Sequence, residues 1–458
     1  IFCIKFMFLY VLEMLLVSQP LTMEEFCNIY QQKVKDSLPQ TLAQKIIAHA
    51  ARKAVVGIGE IEIGSVDLAM IHDSGGPRRV APILERLGVG VWDPEKLVVI
   101  SDHYVPTFDA DSEAILKLTR RWVQEQGVKR FHDEEGICHV VLPENGYLRP
   151  GMFAVGGDSH SPTGGAFGCY MFGIGATEMA GVLATGKIWI RVPETIRIEW
   201  NGTFPKGVMA KDMMLFLCGK MGMDGGRYQA VEFCGDAVSR LSMQERMTLT
   251  NMSAEFGAQT GLIAPDETTV EWLGLHNSDA GDWTKWNTDS DAEFELHSFQ
   301  AEQLEPQVAA PHSPANASAV SNFGKIHPKV LYLGACTGAK LQDLRSAASI
   351  LKGNKVQKGI ELWVAPSSLR DLKQAKKEGI LGILEDAGGK VLPTSCGLCA
   401  GYGPQRLDKG TVCLSSTARN FKGRMGDEES EVYLASPMTV AATAITGRIS
   451  DPRLFLKN

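Results

Sequence analysis

Short apolar runs of strand length alternate along this chain with segments that have helical spacing. Residues 97–100 form one such run. The segment 111–126 after it has Ile115, Leu118 and Trp122 on one helical face, with Asp111 or Ser112 as its cap. Further strands are predicted at 152–155, 330–333, 361–365 and 390–392, and further helices at 176–187 and 340–351. This alternation predicts an α/β fold, in which ligand-binding loops lie at the carboxyl ends of the strands.

The length of the chain predicts several domains, because 458 residues exceed what one hydrophobic core usually organises. A segment rich in Pro, Ala, Ser and Asn at 306–322 indicates a junction. We therefore expect an N-terminal extension at 1–38, α/β domains at 39–193, 194–310 and 324–458, and a linker at 311–323.

Composition argues against two classes of protein. The net charge is −7 and no run of Lys or Arg occurs, so nucleic acid is not an expected partner. Ten cysteines in 458 residues are too sparse for a disulfide framework. They predict reduced thiols and a cytoplasmic location.

The first 22 residues are mostly apolar but carry Lys5 and Glu13. A signal peptide is one interpretation, although no clear cleavage site follows. A membrane span is disfavoured because the run is short and Glu13 lies in its middle, so no membrane partner is expected. We expect a mis-assigned start, with Met23 as a candidate true one.

Three cysteines stand in glycine-containing loops. Cys396 and Cys399 form a Cys-x-x-Cys pair, and Cys336 lies 60 residues before Cys396 in Gly334-Ala335-Cys336-Thr337-Gly338. A thiol redox pair, or a zinc site with Cys413 as fourth ligand, would explain the pair but not the Cys336 loop. Three thiolates can instead hold three irons of a [4Fe–4S] cluster and leave the fourth open as a Lewis acid.

Four further motifs carry polar groups suited to acid–base chemistry or anion binding. His103 follows Asp102 at a predicted strand end, where the carboxylate would raise the imidazole pKa. Each motif also has a plain structural interpretation, such as a turn or a solvated helix face. The other motifs are Gly157-Asp158-Ser159-His160, the pair Asn251 and Glu255 at helical spacing, and the pair Arg419 and Arg424.

Taken in order, these motifs resemble those of isopropylmalate dehydratase-type large subunits in the aconitase superfamily. The resemblance covers about residues 42–455. It implies a three-domain core of α/β/α domains without the C-terminal swivel domain of full-length aconitases. It also implies a hydro-lyase that dehydrates a 2-hydroxy dicarboxylate with the help of a [4Fe–4S] cluster that has one open iron.

The resemblance assigns a role to each site residue. It implies cluster ligation by Cys336, Cys396 and Cys399, with Asn251 beside the cluster. The Asp102–His103 pair would supply the general acid, and Asp158, Ser159 and His160 would orient substrate and water. Glu255 would position the departing hydroxyl. Arg419 and Arg424 would bind substrate carboxylates, and His72 would line the pocket.

Departures from the family pattern limit what the resemblance implies. Gly338 and Ala418 stand where the superfamily usually has asparagine, so we expect fewer hydrogen bonds to the cluster sulfurs. Residues 161–164 also differ from the leucine-pathway pattern. The substrate could therefore be 3-isopropylmalate, 2,3-dimethylmalate or a citraconate/methylmalate pair.

A partner and two rival functions complete the expectations. The swivel domain would be a separate small subunit that supplies a serine base and further arginines, so this chain alone should be inactive. A non-catalytic iron-sensing protein and a thiol redox protein are the alternatives from other classes.

Overall fold

Three large β-sheets, each covered by helices, follow one another along the computed structural model, which describes residues 38–456. The predictions made for residues 1–37, including the start at Met23, lie outside the described residues. Within 38–456, none of the helices combines the length and apolarity that crossing a bilayer requires.

The first sheet has five parallel strands in the order β4-β3-β2-β5-β6. Two of its inner strands are buried along their whole length and apolar except for the last residue of each, as expected where helices cover both faces. The strands are β2 (Leu68–His72), β3 (Leu97–Ser101), β4 (Arg130–Asp133), β5 (Phe153–Gly156) and β6 (Tyr170–Gly173). The helices are α1 (Leu42–Ala50), α2 (Pro77–Leu87), α3 (Ala110–Glu125), α4 (Cys138–Glu144) and α5 (Ala176–Thr185).

A two-stranded antiparallel ribbon accompanies this sheet. It consists of β1 (Ile61–Ser65) and β7 (Lys187–Arg191). Residues alternate between buried and exposed along both strands, so the outer face presents Ile61, Ile63 and Trp189 to solvent.

The second sheet has four parallel strands in the order β10-β9-β8-β11. Its strands are β8 (Thr195–Asn201), β9 (Ala230–Cys234), β10 (Thr260–Leu262) and β11 (Glu295–Gln300). The helices of this part are α6 (Ala210–Met221), α7 (Asp236–Ser239), α8 (Met243–Asn251) and α9 (Glu267–Leu275).

The third sheet has seven strands in the order β13-β12-β18-β17-β14-β15-β16, with a parallel centre and two antiparallel strands at one edge. The strands are β12 (Gln307–Ala309), β13 (Ala317–Ala319), β14 (Val330–Leu333), β15 (Glu361–Val364), β16 (Gly389–Val391), β17 (Val412–Ser415) and β18 (Glu431–Ala435). The helices are α10 (Leu341–Leu351), α11 (Leu369–Lys377), α12 (Ile380–Ala387) and α13 (Pro437–Thr446).

The predicted α/β elements are confirmed, with one correction to a helix face. Within the predicted linker at 311–323, residues 317–319 form β13, which hydrogen-bonds to β12 at the sheet edge. Helix α3 begins after Asp109, whose side chain caps it, and it buries Leu116 and Trp122 while Leu118 is 39% exposed. Apolar residues occur at helical spacing in two series that are offset by one position along this helix. Packing on the sheet buries the series that contains Leu116 and not the one that contains Leu118. The exact domain bounds stay a prediction.

Candidate active site

The predicted site residues meet where parallel strands of the first and third sheets end. His72 closes β2, Asp102 follows β3 directly, and Asp158 lies two residues beyond β5. The third sheet contributes Cys336 after β14 and Arg419 after β17. The middle region adds two side chains from the end of α8 and the turn after it, Asn251 and Glu255. This is the edge at which open α/β sheets usually bind their ligands.

His103 is held as a cation by buried carboxylates. Its Nδ1 lies 2.6 Å from Asp102 Oδ1, and Asp102 Oδ2 accepts the N–H of Cys138 at 2.7 Å. Asp73 receives the backbone N–H groups of Asp102, His103 and Tyr104. Burial alone would lower the pKa of His103, but the charge of Asp102 and its hydrogen bond outweigh burial and raise the pKa to about 10. His103 is therefore protonated at neutral pH and can act as a proton donor.

His72 stacks on His103 with ring centroids 4.2 Å apart and an interplanar angle of 16°. Its Nδ1 accepts the N–H of Gly75 at 3.3 Å, so the proton lies on Nε2, which donates to Gly157 O at 3.1 Å. Burial and the neighbouring charge of His103 lower the pKa of His72. The side chain predicted to line the substrate pocket is thus neutral, and both of its ring nitrogens bond to the main chain.

A second histidine–carboxylate pair contains a residue that sequence reasoning missed. His139 in α4 lies 2.7 Å from Asp158 Oδ1, and the same oxygen accepts the backbone N–H of His160 at 2.8 Å. Burial would raise the pKa of Asp158, yet the charges of His139 and His160 hold it well below its ordinary value. Ser159, which lies between Asp158 and His160 in the sequence, is exposed at the tip of the loop. No spacing in the sequence links His139 to Asp158, because only the fold brings them together.

Glu255 joins the three parts of the molecule. A single oxygen, Oε1, accepts from His160 Nε2 at 2.8 Å and from Arg419 Nε at 2.7 Å. Burial opposes ionisation of Glu255, but these two partners lower its pKa below the ordinary value. Burial and the charge of Arg419 lower the pKa of His160. The carboxylate is therefore ionised and anchors both neighbours.

The three predicted cysteine ligands lie in two loops beside these pairs. Asn251 donates from Nδ2 to Cys336 Sγ at 3.2 Å, and its Oδ1 is a buried oxygen without a partner among the described residues. The Cys396 backbone N–H donates to Asp102 O at 2.8 Å, which ties the second loop to the histidines. Arg424 donates from Nε to Cys399 O at 2.8 Å.

Electrostatics favour a thiolate at Cys399, whereas the hydrogen bond to Cys399 and burial raise the pKa of Cys396 well above its ordinary value. A hydrogen bond from Cys396 lowers the pKa of Cys399 to about 6 against the effect of burial, with help from the charges of Arg424, Arg419 and Lys211. Burial and the charge of Cys399 raise the pKa of Cys336 to about 12. Cations and an amide donor beside thiols are what an anionic iron–sulfur cluster requires of its site.

The three cysteines stand apart from the compact groups of possible metal ligands. Among residues 38–456, the groups whose ligand atoms all lie within 4.8 Å of one another contain only histidines and carboxylates. Cys413, the fourth ligand of the zinc alternative, is fully buried in β17, and burial alone raises its pKa.

Comparison with known proteins places the chain in a family. The model of the "Aconitase family (aconitate hydratase)" matches residues 44–330 and 323–447. A 3-isopropylmalate dehydratase large subunit 1 of Methanopyrus kandleri is 44% identical over 91% of this chain and 100% of its own length. A probable methanogen homoaconitase large subunit of Methanosarcina mazei is also 44% identical, over 85% of this chain and 99% of its own length.

A solved structure adds a distant similarity. Holo aconitase X of Thermococcus kodakaraensis matches with a TM-score of 0.46 and 12% identity, over 90% of this chain and 97% of that one. The family model and the curated relatives span nearly the whole described chain, so this protein belongs to the aconitase family.

Proposed function

We propose that this chain is the large subunit of a heteromeric, cytoplasmic iron–sulfur hydro-lyase that dehydrates and rehydrates a 2-hydroxy dicarboxylate. The substrate is 3-isopropylmalate or a related alkylmalate. One observation carries the proposal: the three cysteines and the three histidine–carboxylate pairs converge on one edge of the fold. The names of the relatives point to the same chemistry.

Cys336, Cys396 and Cys399 would hold a [4Fe–4S] cluster whose open iron acts as a Lewis acid on the substrate hydroxyl. His103 protonates the departing hydroxyl from Nε2, the ring nitrogen that does not face Asp102. Asp102 keeps that imidazole charged and orients the ring through its contact with Nδ1. His72 holds the His103 ring in place by stacking on it.

Substrate binding falls to the two arginines. Arg419 uses Nε for Glu255, which leaves the outer edge of its guanidinium group for a carboxylate. Arg424 likewise uses Nε for Cys399 O. Two guanidinium groups fixed in this way suit a substrate with two carboxylates. Ser159, exposed at the tip of its loop, would contact substrate and water.

A small subunit would complete the site with a serine base, which removes the proton from the substrate carbon, and with further arginines. The matched relatives are named large subunits, which supports a partner of this kind. Relatives with two different activity names share 44% identity with this chain, so similarity alone does not choose the substituent. 2,3-Dimethylmalate and the citraconate/methylmalate pair are therefore second candidates, which the departures at 161–164 leave open.

The test is to purify the chain anaerobically, measure iron and sulfide, and assay a panel of 2-alkylmalates and 3-alkylmalates with and without the co-purifying small partner. We expect about four irons and four sulfides per chain, with activity only in the complex. Full activity of the isolated chain would refute the heteromeric assignment.

The same experiment separates the rival functions. Purified protein that contains neither iron nor sulfide but has an intact Cys396–Cys399 dithiol would point to a thiol redox protein. A non-catalytic iron sensor would hold the cluster but show salt-dependent RNA binding and no turnover of any alkylmalate.

A further inference from the structure

A fully buried lysine lies behind the Cys336 loop and has no role in the function proposed above. Lys211 is 1% exposed, and among the described residues its ammonium group bonds only to neutral atoms. It donates to Thr417 O at 2.6 Å and to Ser416 O at 2.9 Å, and it lies 3.3 Å from Thr337 Oγ1 and 3.9 Å from Met252 Sδ.

Three features of this position are unfavourable for a cation. Lys211 is the second residue of α6, where the helix dipole repels positive charge. It is buried, which penalises any unpaired ammonium group. Among the described residues, no carboxylate oxygen lies within 4.0 Å of it. The adjacent Asp212 points away, and accepts the backbone N–H groups of Met209 and Gln307 instead.

A second buried lysine in this part of the protein has a carboxylate as its countercharge. Lys340 is also fully buried, but its Nζ lies 2.9 Å from Asp343 Oδ2 and donates to Cys336 O at 2.8 Å. Lys340 therefore has its own countercharge. Lys211 has no carboxylate at such a distance among residues 38–456.

The contacts of Lys211 join the loop that carries Cys336 to the loop that carries Arg419. Thr337 directly follows Cys336, and residues 416–417 lead into Arg419 at the end of β17. Burial and the charge of Lys340 lower the pKa of Lys211 to about 8, against the opposite effects of Asp343, Cys399 and Cys336. The ammonium group lies 3.3 Å from Thr337 Oγ1, beside the loop that carries Cys336.

We propose that Lys211 is the internal countercation of the cysteine-bound cluster, an inference that rests on the proposed function. It is a positioning residue that does not touch substrate. A cluster held by three thiolates carries net negative charge, and reduction makes that charge larger. A fixed ammonium group nearby stabilises the reduced form more, and so raises the reduction potential.

The test compares the midpoint potential of the cluster in the wild type, Lys211→Gln and Lys211→Arg. The glutamine keeps hydrogen-bond donors for Ser416 O and Thr417 O but removes the charge, whereas the arginine keeps the charge. We expect a more negative potential in Lys211→Gln and a value near that of the wild type in Lys211→Arg. Equal potentials in all three, or equal shifts in both variants, would overturn the inference.

A second measurement decides the case in which Lys211→Gln holds no cluster. The thermal midpoint of the cluster-free full-length chain is then compared with that of cluster-free wild type. Removal of a buried charge without a countercharge should raise this midpoint, whereas a fall would show a merely structural lysine and overturn the inference. Wild-type protein without iron or sulfide would instead refute the proposed function itself.

Discussion

The site has two halves with opposite electrostatics. In the histidine half, made of Asp102–His103, Asp158–His139 and Glu255–His160, every carboxylate lies within 2.8 Å of a ring nitrogen. In the cysteine half, made of Cys336, Cys396 and Cys399 with their surroundings, Lys340 has a carboxylate partner in Asp343, but two other cations have none. Neither Arg424 nor Lys211 has a carboxylate oxygen within 4.0 Å among the described residues, and both donate to carbonyls.

The difference shows how one chain prepares two kinds of chemistry. The histidine half sets the protonation state of its own acid through buried ion pairs, so it needs no further group to do so. The cysteine half directs positive charge at thiols, which suits an anionic cofactor. Changes in the two halves should therefore have different signatures.

The largest effect is expected from a cysteine ligand. Cys336→Ser should abolish hydro-lyase activity and bleach the visible absorption, because a serine hydroxyl does not replace a thiolate as an iron ligand. Iron content and the visible spectrum measure this. Cys413→Ser is the matched control, since Cys413 is also buried but lies in strand β17. Equal iron contents in Cys336→Ser and Cys413→Ser would contradict the assignment of Cys336 to the cysteine half of the site.

The next effect concerns the proton donor of the histidine half. Asp102→Asn should lower kcat by about 10²–10⁴-fold, the range usual for loss of general acid catalysis. The raised pKa of His103 keeps the acid form populated below about 10 and loses it above. Without the Asp102 charge, the alkaline limb of the pH–rate profile should move down, toward the ordinary histidine value of 6.5.

Glu135→Gln is the control for that profile. It removes a carboxylate that lies 2.8 Å from His132 at the edge strand β4, away from the proton donor. An Asp102→Asn profile with an unmoved alkaline limb would show that His103 does not set the pH dependence.

The smallest effect measures how tightly the loops of the cysteine half pack. A Cβ at Gly338 would lie 2.1 Å from Ser416 Oγ and 2.5 Å from Ser416 O. Gly338→Ala should therefore destabilise folding by about 1–3 kcal/mol, the usual effect of overpacking. Urea denaturation measures it, and the double variant with Ser416→Gly should recover part of the loss.

Gly382→Ala provides the comparison for that measurement. Gly382 lies inside α12, where an added Cβ has no atom within 4 Å, so alanine should be neutral or stabilise by about 0.5–1 kcal/mol. Similar destabilisation in both variants would show that Ser416 is not the obstacle. The same contact explains a departure from the family pattern, since Ser416 occupies the space that a side chain at 338 would need.

Local patterns predicted the elements and the loop residues of this site well. The strand at 330–333 was predicted to the residue, and the motif residues stand at strand ends because parallel sheets place their loops there. Tertiary contacts account for what the sequence did not show. His139 has no signal of its own in the sequence, and Leu118 was assigned to the wrong face because packing chose between two apolar series. β13, three residues of Ala and Ser, is a strand only because β12 pairs with it.

One carboxylate links all three parts of the chain. Glu255 lies in the middle part, and a single oxygen of its side chain accepts hydrogen bonds from His160 of the first part and from Arg419 of the third. Any hinge opening that separates either neighbour breaks an ion pair inside the reaction centre. The turnover rate should therefore depend on how the domains are aligned. It should fall under mild denaturation while all three sheets are still folded.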